Sequence, residues 1–219
     1  MTLADRIGEV RERIEAACVG AGREAASVRL IGVTKTVAGE RVREALDAGL
    51  TDLAENHVQK LLERHAAFPG AAWHHVGRIQ SNKAPRVAEV AAWAQAVEPG
   101  RAAERLARRA RAIGRTVPCL LEVDFTRERI GVAPEDVEGA LESLAVLEGI
   151  AIRGLMTVAP LGTPPGPVFA RLRELRDLLA GTFPGLRELS MGMSVDYEEA
   201  VGEGATMVRV GSAIFGPRP

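Results

Sequence analysis

A lysine closes the first strongly apolar run of this chain, Leu30-Ile-Gly-Val-Thr-Lys35. Ile31, Val33 and Lys35 share one parity, so in an extended strand their side chains point the same way. An ammonium at the mouth of a buried strand is costly unless it snorkels to water, finds a partner or loses its charge. An amine held in an apolar socket has a further use, because it can form a Schiff base with a carbonyl compound.

Other polar residues gather just after apolar runs. They are Glu55-Asn56, His74-His75 with Gly77, Glu122 and Asp124, Met156-Thr157, Ser190-Met-Gly-Met-Ser194, and Arg209-Val-Gly-Ser212. Taken singly, Asn56 reads equally well as a helix N-cap and His74 as a hydrogen-bonded core histidine. The segment bearing Met193 and Ser194 sets small residues and backbone amides before a helix expected to begin near Val195. Such a helix start suits a phosphate, although Ser194 would also serve as its cap. Gly211 and Ser212 supply a second close approach with a hydroxyl. Arg209 lies inside the last apolar run, where a guanidinium stays charged and needs a partner. Either Glu122 or Asp124 could supply it, or a ring nitrogen or anion of a ligand.

The elements that must position these groups alternate regularly. Strands are expected at 28–34, 51–54, 72–76, 92–97, 117–123, 151–157, 187–190 and 206–210. Helical patterns lie between them at 39–49, 56–66, 81–90, 100–113, 134–147, 165–180 and 195–203. An additional amphipathic helix over 3–24 carries Leu3, Ile7, Val10 and Ile14 on one face, opens on a Thr2/Asp5 capping box and closes at Gly20 and Gly22. Eight strands alternating with helices predict an α/β fold, a (β/α)8 TIM barrel forming a single domain over 1–219 with an extra N-terminal helix. In such a barrel the strand C-termini converge on one mouth, which explains why the polar residues recur there.

Composition narrows the function. The 219 residues carry a net charge of −1 and 47% hydrophobic residues, an ordinary globular balance that argues against a dedicated nucleic-acid binder. The two cysteines, Cys18 and Cys119, have neither metal-ligand nor disulfide spacing, and Cys119 reads as a buried thiol. No apolar stretch reaches spanning length and the N-terminus lacks a signal-peptide pattern, so the expected location is the cytoplasm, with no membrane partner. P-loop, strand-linked GxGxxG, HExxH, GxSxG and CxxC patterns are absent, and no metal is expected. Arg101, Arg105, Arg108, Arg109, Arg111 and Arg115 crowd one helical segment, read as a solvated face or a docking surface for an acidic partner.

A carbonyl-seeking lysine, a phosphate site and a buried cation together suggest pyridoxal phosphate. Its aldehyde would meet Lys35, its phosphate the Ser194 and Ser212 loops, and its ring nitrogen Arg209. A permanent cation beside that nitrogen disfavours its protonation and restrains carbanion chemistry.

The motifs that carry this reading are Val33-Thr-Lys35, Ala54-Glu-Asn56, Trp73-His-His-Val-Gly-Arg-Ile-Gln-Ser-Asn-Lys83, Gly154-Leu-Met156, Leu189-Ser-Met-Gly-Met-Ser194 and Met207-Val-Arg-Val-Gly-Ser-Ala-Ile-Phe-Gly216. In order, from about residue 5 to the C-terminus, they resemble the YggS/PROSC family of pyridoxal phosphate homeostasis proteins. The resemblance implies a barrel like the N-terminal domain of alanine racemase, with cofactor on Lys35 and contacts from Asn56, His74, Met193, Ser194, Arg209, Gly211 and Ser212. Thr34, Ala54, His75 and Arg78 depart from the family's usual serine, glycine, aromatic and histidine. Thr34 keeps a hydroxyl, Ala54 narrows a strand end and Arg78 changes what docks at the mouth; none threatens cofactor binding. The function so implied is a cofactor carrier without committed turnover, serving apo-enzymes that require pyridoxal phosphate. The competing reading is an amino-acid racemase of low activity, which needs an acid or base on each face of the α-carbon. The one tyrosine is Tyr197, and no second domain is expected after Pro219, so a monomeric carrier is the expectation.

Overall fold

Eight parallel strands close into a barrel in the order β1 to β8, and the computed structural model describes residues 1–126, 130–160 and 162–217. The strands are β1 (Arg29–Val33), β2 (Asp52–Glu55), β3 (Ala72–His75), β4 (Trp93–Val97), β5 (Val117–Glu122), β6 (Ile150–Met156), β7 (Glu188–Ser190) and β8 (Met207–Val210). Between them run α2 (Gly39–Asp47), α3 (Val58–Ala67), α4 (Ala84–Val90), α5 (Arg101–Ala112), α6 (Val137–Ala145), α7 (Gly166–Leu179) and α8 (Tyr197–Gly202). The helix α1 (Leu3–Gly20) precedes the barrel and the short α9 (Ser212–Phe215) follows it. No helix among the described residues is long and apolar enough to cross a membrane.

Each strand is buried on both faces, so its two parities serve different cores. One parity feeds the layer between barrel and helices, where Leu53, Trp73, Leu121, Leu155, Leu189 and Val208 pack against helix residues such as Leu61, Leu106 and Phe169. The other fills the barrel interior, where Ile31, Ala54, Ala96, Leu120, Met156 and Met207 form a separate cluster. The two alanines of this cluster, Ala54 and Ala96, leave room for polar groups, and His74, Gln95, Ser190 and Arg209 lie in the interior. The β4–β5 ladder slips between Ala94 and Val97, which lets β4 turn Trp93, Gln95 and Ala96 inward. Irregularities of this kind re-aim side chains near functional mouths.

Element boundaries differ from expectation where side chains compete with helical turns. The first helix ends at Gly20, not 24; Gly22 turns at φ +65, and Arg23 is pulled across to the carbonyls of Val201 and Ala205. Its capping box is present, with Thr2 N donating to Asp5 and Asp5 N to the Thr2 hydroxyl. A 3-10 turn at Pro134–Asp136 precedes α6, and α8 begins at Tyr197 rather than near Val195. The Asp196 carboxylate accepts from Met193 N and holds residues 193–196 as a turn. Cys119 is fully buried and its thiol is pushed well up by desolvation.

Three of the six arginines of α5 and the turn after it are tied to neighbouring segments. Arg109 pairs with Glu89, Arg111 with Glu148, and Arg115 donates to the carbonyls of Ala88 and Ala91 at the end of α4. The two ion pairs are exposed and add little stability.

His75 faces outward from β3 and is fully buried, yet neither ring nitrogen has a hydrogen-bond partner. Burial, helped by the charge of His57 and opposed by the Gly77 backbone, pushes its pKa down from 6.5 to about 4. Below pH 6.5 the unfolded chain therefore binds a proton that the folded chain refuses, so stability present above pH 6.5 drains away as pH falls towards 4. His75→Leu, of similar volume, removes the orphaned nitrogens. It should lose about 2 kcal/mol less stability than wild type between pH 7 and pH 5, as read from urea midpoints. Equal losses in the two proteins would refute this.

Candidate functional site

The loop after β1 is built to hold one residue still. β1 ends at Val33, so Lys35 lies on the turn that follows rather than on the strand itself, with Val37 N donating to Thr34 O. Thr36 sits at φ +64, a left-handed conformation that a β-branched residue adopts only under constraint. The constraint comes from beneath. The buried Thr34 hydroxyl donates to Glu55 Oε1 at 2.6 Å, and Arg64 of α3 reaches both Glu55 at 3.5 Å and the carbonyl of Val37. Strand end, second strand and third helix thus clamp the two residues that flank Lys35 and Thr36.

Across the mouth, Ser194 closes the other side. Its hydroxyl accepts from Gly211 N at 3.0 Å and Ala213 N at 3.3 Å, the amides at the start of α9. It is therefore not the cap of α8, as one reading of the sequence had it; Asp196 occupies that position. The loops after β7 and β8 are tied together through this one hydroxyl.

A cavity of about 400 Å³ lies between these loops, within the roughly 300–1,000 Å³ range of small-molecule sites. Six of the residues expected at the site line it: Lys35, Met193, Ser194, Arg209, Gly211 and Ser212. Residues not expected among the cofactor contacts also line it, notably Val33, Thr36, Arg41 and Phe215. All the ionisable side chains in the described lining (Lys35, Arg41, Arg209) are basic. Arg41 comes from the first turn of α2; periodicity marks that helix as amphipathic, but cannot say that its polar edge turns towards the mouth.

Asn56 and His74 stand outside this lining. Asn56 follows β2, and His57 rather than Asn56 is the N-cap of α3. Its Oδ1 is buried without a partner, and its backbone is fixed by Gly77, where an added Cβ would come within 2.3 Å of Asn56 O. His74 lies in the barrel interior between Asp52 and Gln95, at 3.0 and 2.8 Å, and stacks with Trp93. Desolvation lowers its pKa against the opposing pull of Asp52, favouring neutral imidazole. The Asp52 carboxyl, which burial alone would raise, is held below its usual range by His74 and Arg29.

Arg209 is buried, and its guanidinium donates to the Ser190 hydroxyl and, at 2.8 Å, to Thr157 O. Tyr197 points elsewhere: it is buried at the start of α8, beside Arg13 of α1. The described residues contain no cluster of groups able to hold a metal ion.

Comparison with known proteins agrees with this architecture. The family of the alanine racemase N-terminal domain matches residues 11–219. The pyridoxal phosphate homeostasis protein of Pseudomonas aeruginosa is 39% identical, over 99% of this chain and 96% of its own length. That of Aquifex aeolicus is 36% identical, over 100% and 99%. Among solved structures, PipY of Synechococcus elongatus with pyridoxal phosphate bound superposes with a TM-score of 0.87 at 36% identity, covering 98% of this chain and 100% of PipY. Over residues 11–219, then, the chain belongs to the alanine racemase N-terminal domain family and, within it, to the pyridoxal phosphate homeostasis proteins.

Proposed function

We propose that this protein binds pyridoxal phosphate through Lys35 and acts in the homeostasis of that cofactor, as a carrier rather than a committed catalyst. The observation that carries the reading is the cavity itself, in which a primary amine and two guanidinium groups face hydroxyls and backbone amides, with no carboxylate in the described lining. Such a lining suits a small ligand carrying a carbonyl and a phosphate. The residues fit the group. Lys35 offers the amine, Ser194, Gly211 and Ser212 the phosphate-facing donors, and Arg209 the cation opposite the ring nitrogen. The orphaned Oδ1 of Asn56 is a free acceptor at the adjoining strand end. When bound, pyridoxal phosphate supplies an aldehyde that condenses reversibly with amines and a ring that accepts electrons.

The protein's own groups bind and orient more readily than they move protons. Of the ionisable side chains in the described lining, Lys35 alone can exchange a proton with a reacting carbon, because arginine does not deprotonate. Racemisation calls for a second such group on the opposite face. Tyr197, beside Arg13 on the outer layer, does not supply it. A monomer that passes its cofactor to enzymes requiring it, inside a reducing compartment, is the arrangement this reading implies.

Purified protein incubated with pyridoxal phosphate should turn yellow, and borohydride followed by peptide mapping should fix the cofactor on Lys35. Lys35→Ala should lose the adduct and keep its thermal transition; an adduct on Lys83 instead would overturn the assignment. Arg64→Met should destabilise the fold by about 3 kcal/mol, because it leaves a buried carboxylate without its cationic partner. It should also speed hydrogen exchange in the Thr34–Val37 turn; unchanged exchange there would remove Arg64 as the loop's anchor.

A further inference from the structure

Five polar side chains cross the barrel interior in one continuous line. Arg209 donates to the Ser190 hydroxyl, and Ser190 donates to Gln95 Oε1 at 2.7 Å. Gln95 Nε2 meets His74 Nδ1 at 2.8 Å, and His74 Nε2 meets Asp52 Oδ1 at 3.0 Å. Ser190, Gln95 and His74 are all fully buried, so water cannot substitute for the links between them. Arg29 approaches Asp52 at 3.7 Å, and Met207 Sδ lies 3.6 Å from the Gln95 amide nitrogen.

The direction of every proton in this line follows from chemistry. A guanidinium only donates, so Ser190 accepts from it and must send its own proton on to Gln95 Oε1. Gln95 then presents its NH2 to His74, whose Nδ1 must be the bare nitrogen. The imidazole proton is left on Nε2, aimed at a carboxylate that only accepts. Each donor thus points from the cavity towards Asp52. Reversing the Gln95 amide would require a doubly protonated His74, which burial opposes.

We propose that Gln95 is a positioning residue that couples the Asp52 carboxylate at the start of β2 to the guanidinium of Arg209 in the cavity wall. Through Ser190 it fixes the plane of that guanidinium, and the aligned bonds polarise one another along the line. Its effect on a ligand rests on the pyridoxal phosphate reading; its effect on Arg209 does not.

The test uses the full chain, first without cofactor. Long-range 15N correlations should place the His74 proton on Nε2 at pH 7. Gln95→Leu should broaden the Arg209 guanidinium signals as Ser190 becomes free to rotate. A His74 proton on Nδ1, or Arg209 signals indifferent to Gln95→Leu, would overturn the proposal. With pyridoxal phosphate added, Gln95→Leu and Ser190→Ala should each weaken binding by about tenfold, the scale of one charge-assisted hydrogen bond. Each should displace the absorption maximum of the bound cofactor while borohydride still fixes it on Lys35. The double variant should be less than additive, because both changes break the same line. Full additivity or unshifted spectra would refute the coupling. Should Gln95→Leu fail to fold, Gln95→Met takes its place in every readout. Should wild type take up no pyridoxal phosphate, the functional reading falls and the cofactor-free spectra still decide the role of Gln95.

Discussion

A guanidinium inside a closed barrel is the constraint around which this interior is arranged. Arg209 cannot shed its proton, and stripping water from a permanent charge costs several kcal/mol. The barrel answers with a serine hydroxyl, a backbone carbonyl and, behind the serine, a line of oriented dipoles ending on a carboxylate. Small residues at Ala54 and Ala96 make room for that line, and the slip in β4 brings Gln95 into it. Stability alone would favour an apolar core of the same volume, so the polar line is best understood by what it holds in the cavity wall.

The opposite wall solves a different problem. Lys35 sits on a loop rather than a strand, and a long flexible amine on a loop is poorly placed by default. Burying Glu55 between Thr34 and Arg64 makes the loop's base rigid, and the left-handed Thr36 is the strain that this rigidity sustains. The amine is thereby presented to the cavity from a fixed base, with Ser194 holding the far rim in register. The proposed role in cofactor homeostasis needs such a site, firm enough to select an anionic aldehyde and able to release it again.

Much of this architecture was legible in the chain. Alternating apolar runs and amphipathic stretches gave the eight strands and their helices in the right order, because a strand buried on both faces must be apolar throughout. The strand-end polar residues were legible for the same reason, since polarity at the edge of such a run has nowhere to go but the mouth. Boundaries were less so. Asp196 and Arg23 each end or delay a helix through a contact that local spacing does not encode.

What the sequence by itself determined is the barrel, its mouth and the residue types gathered there, including Lys35, Ser194 and Arg209, because period and position along a strand dictate which end and which face a side chain occupies. Tertiary structure alone decided which of these residues share a wall. It placed Arg41 in the cavity and His74 behind it, gave Ser194 to the amides of α9 instead of α8, and recruited Gln95, Asp52 and Arg64, which no motif marks. The reason is physical: hydrogen bonds across a barrel join residues far apart in sequence, and their partners are chosen by strand stagger and by register slips such as that in β4, neither of which leaves a local pattern to read.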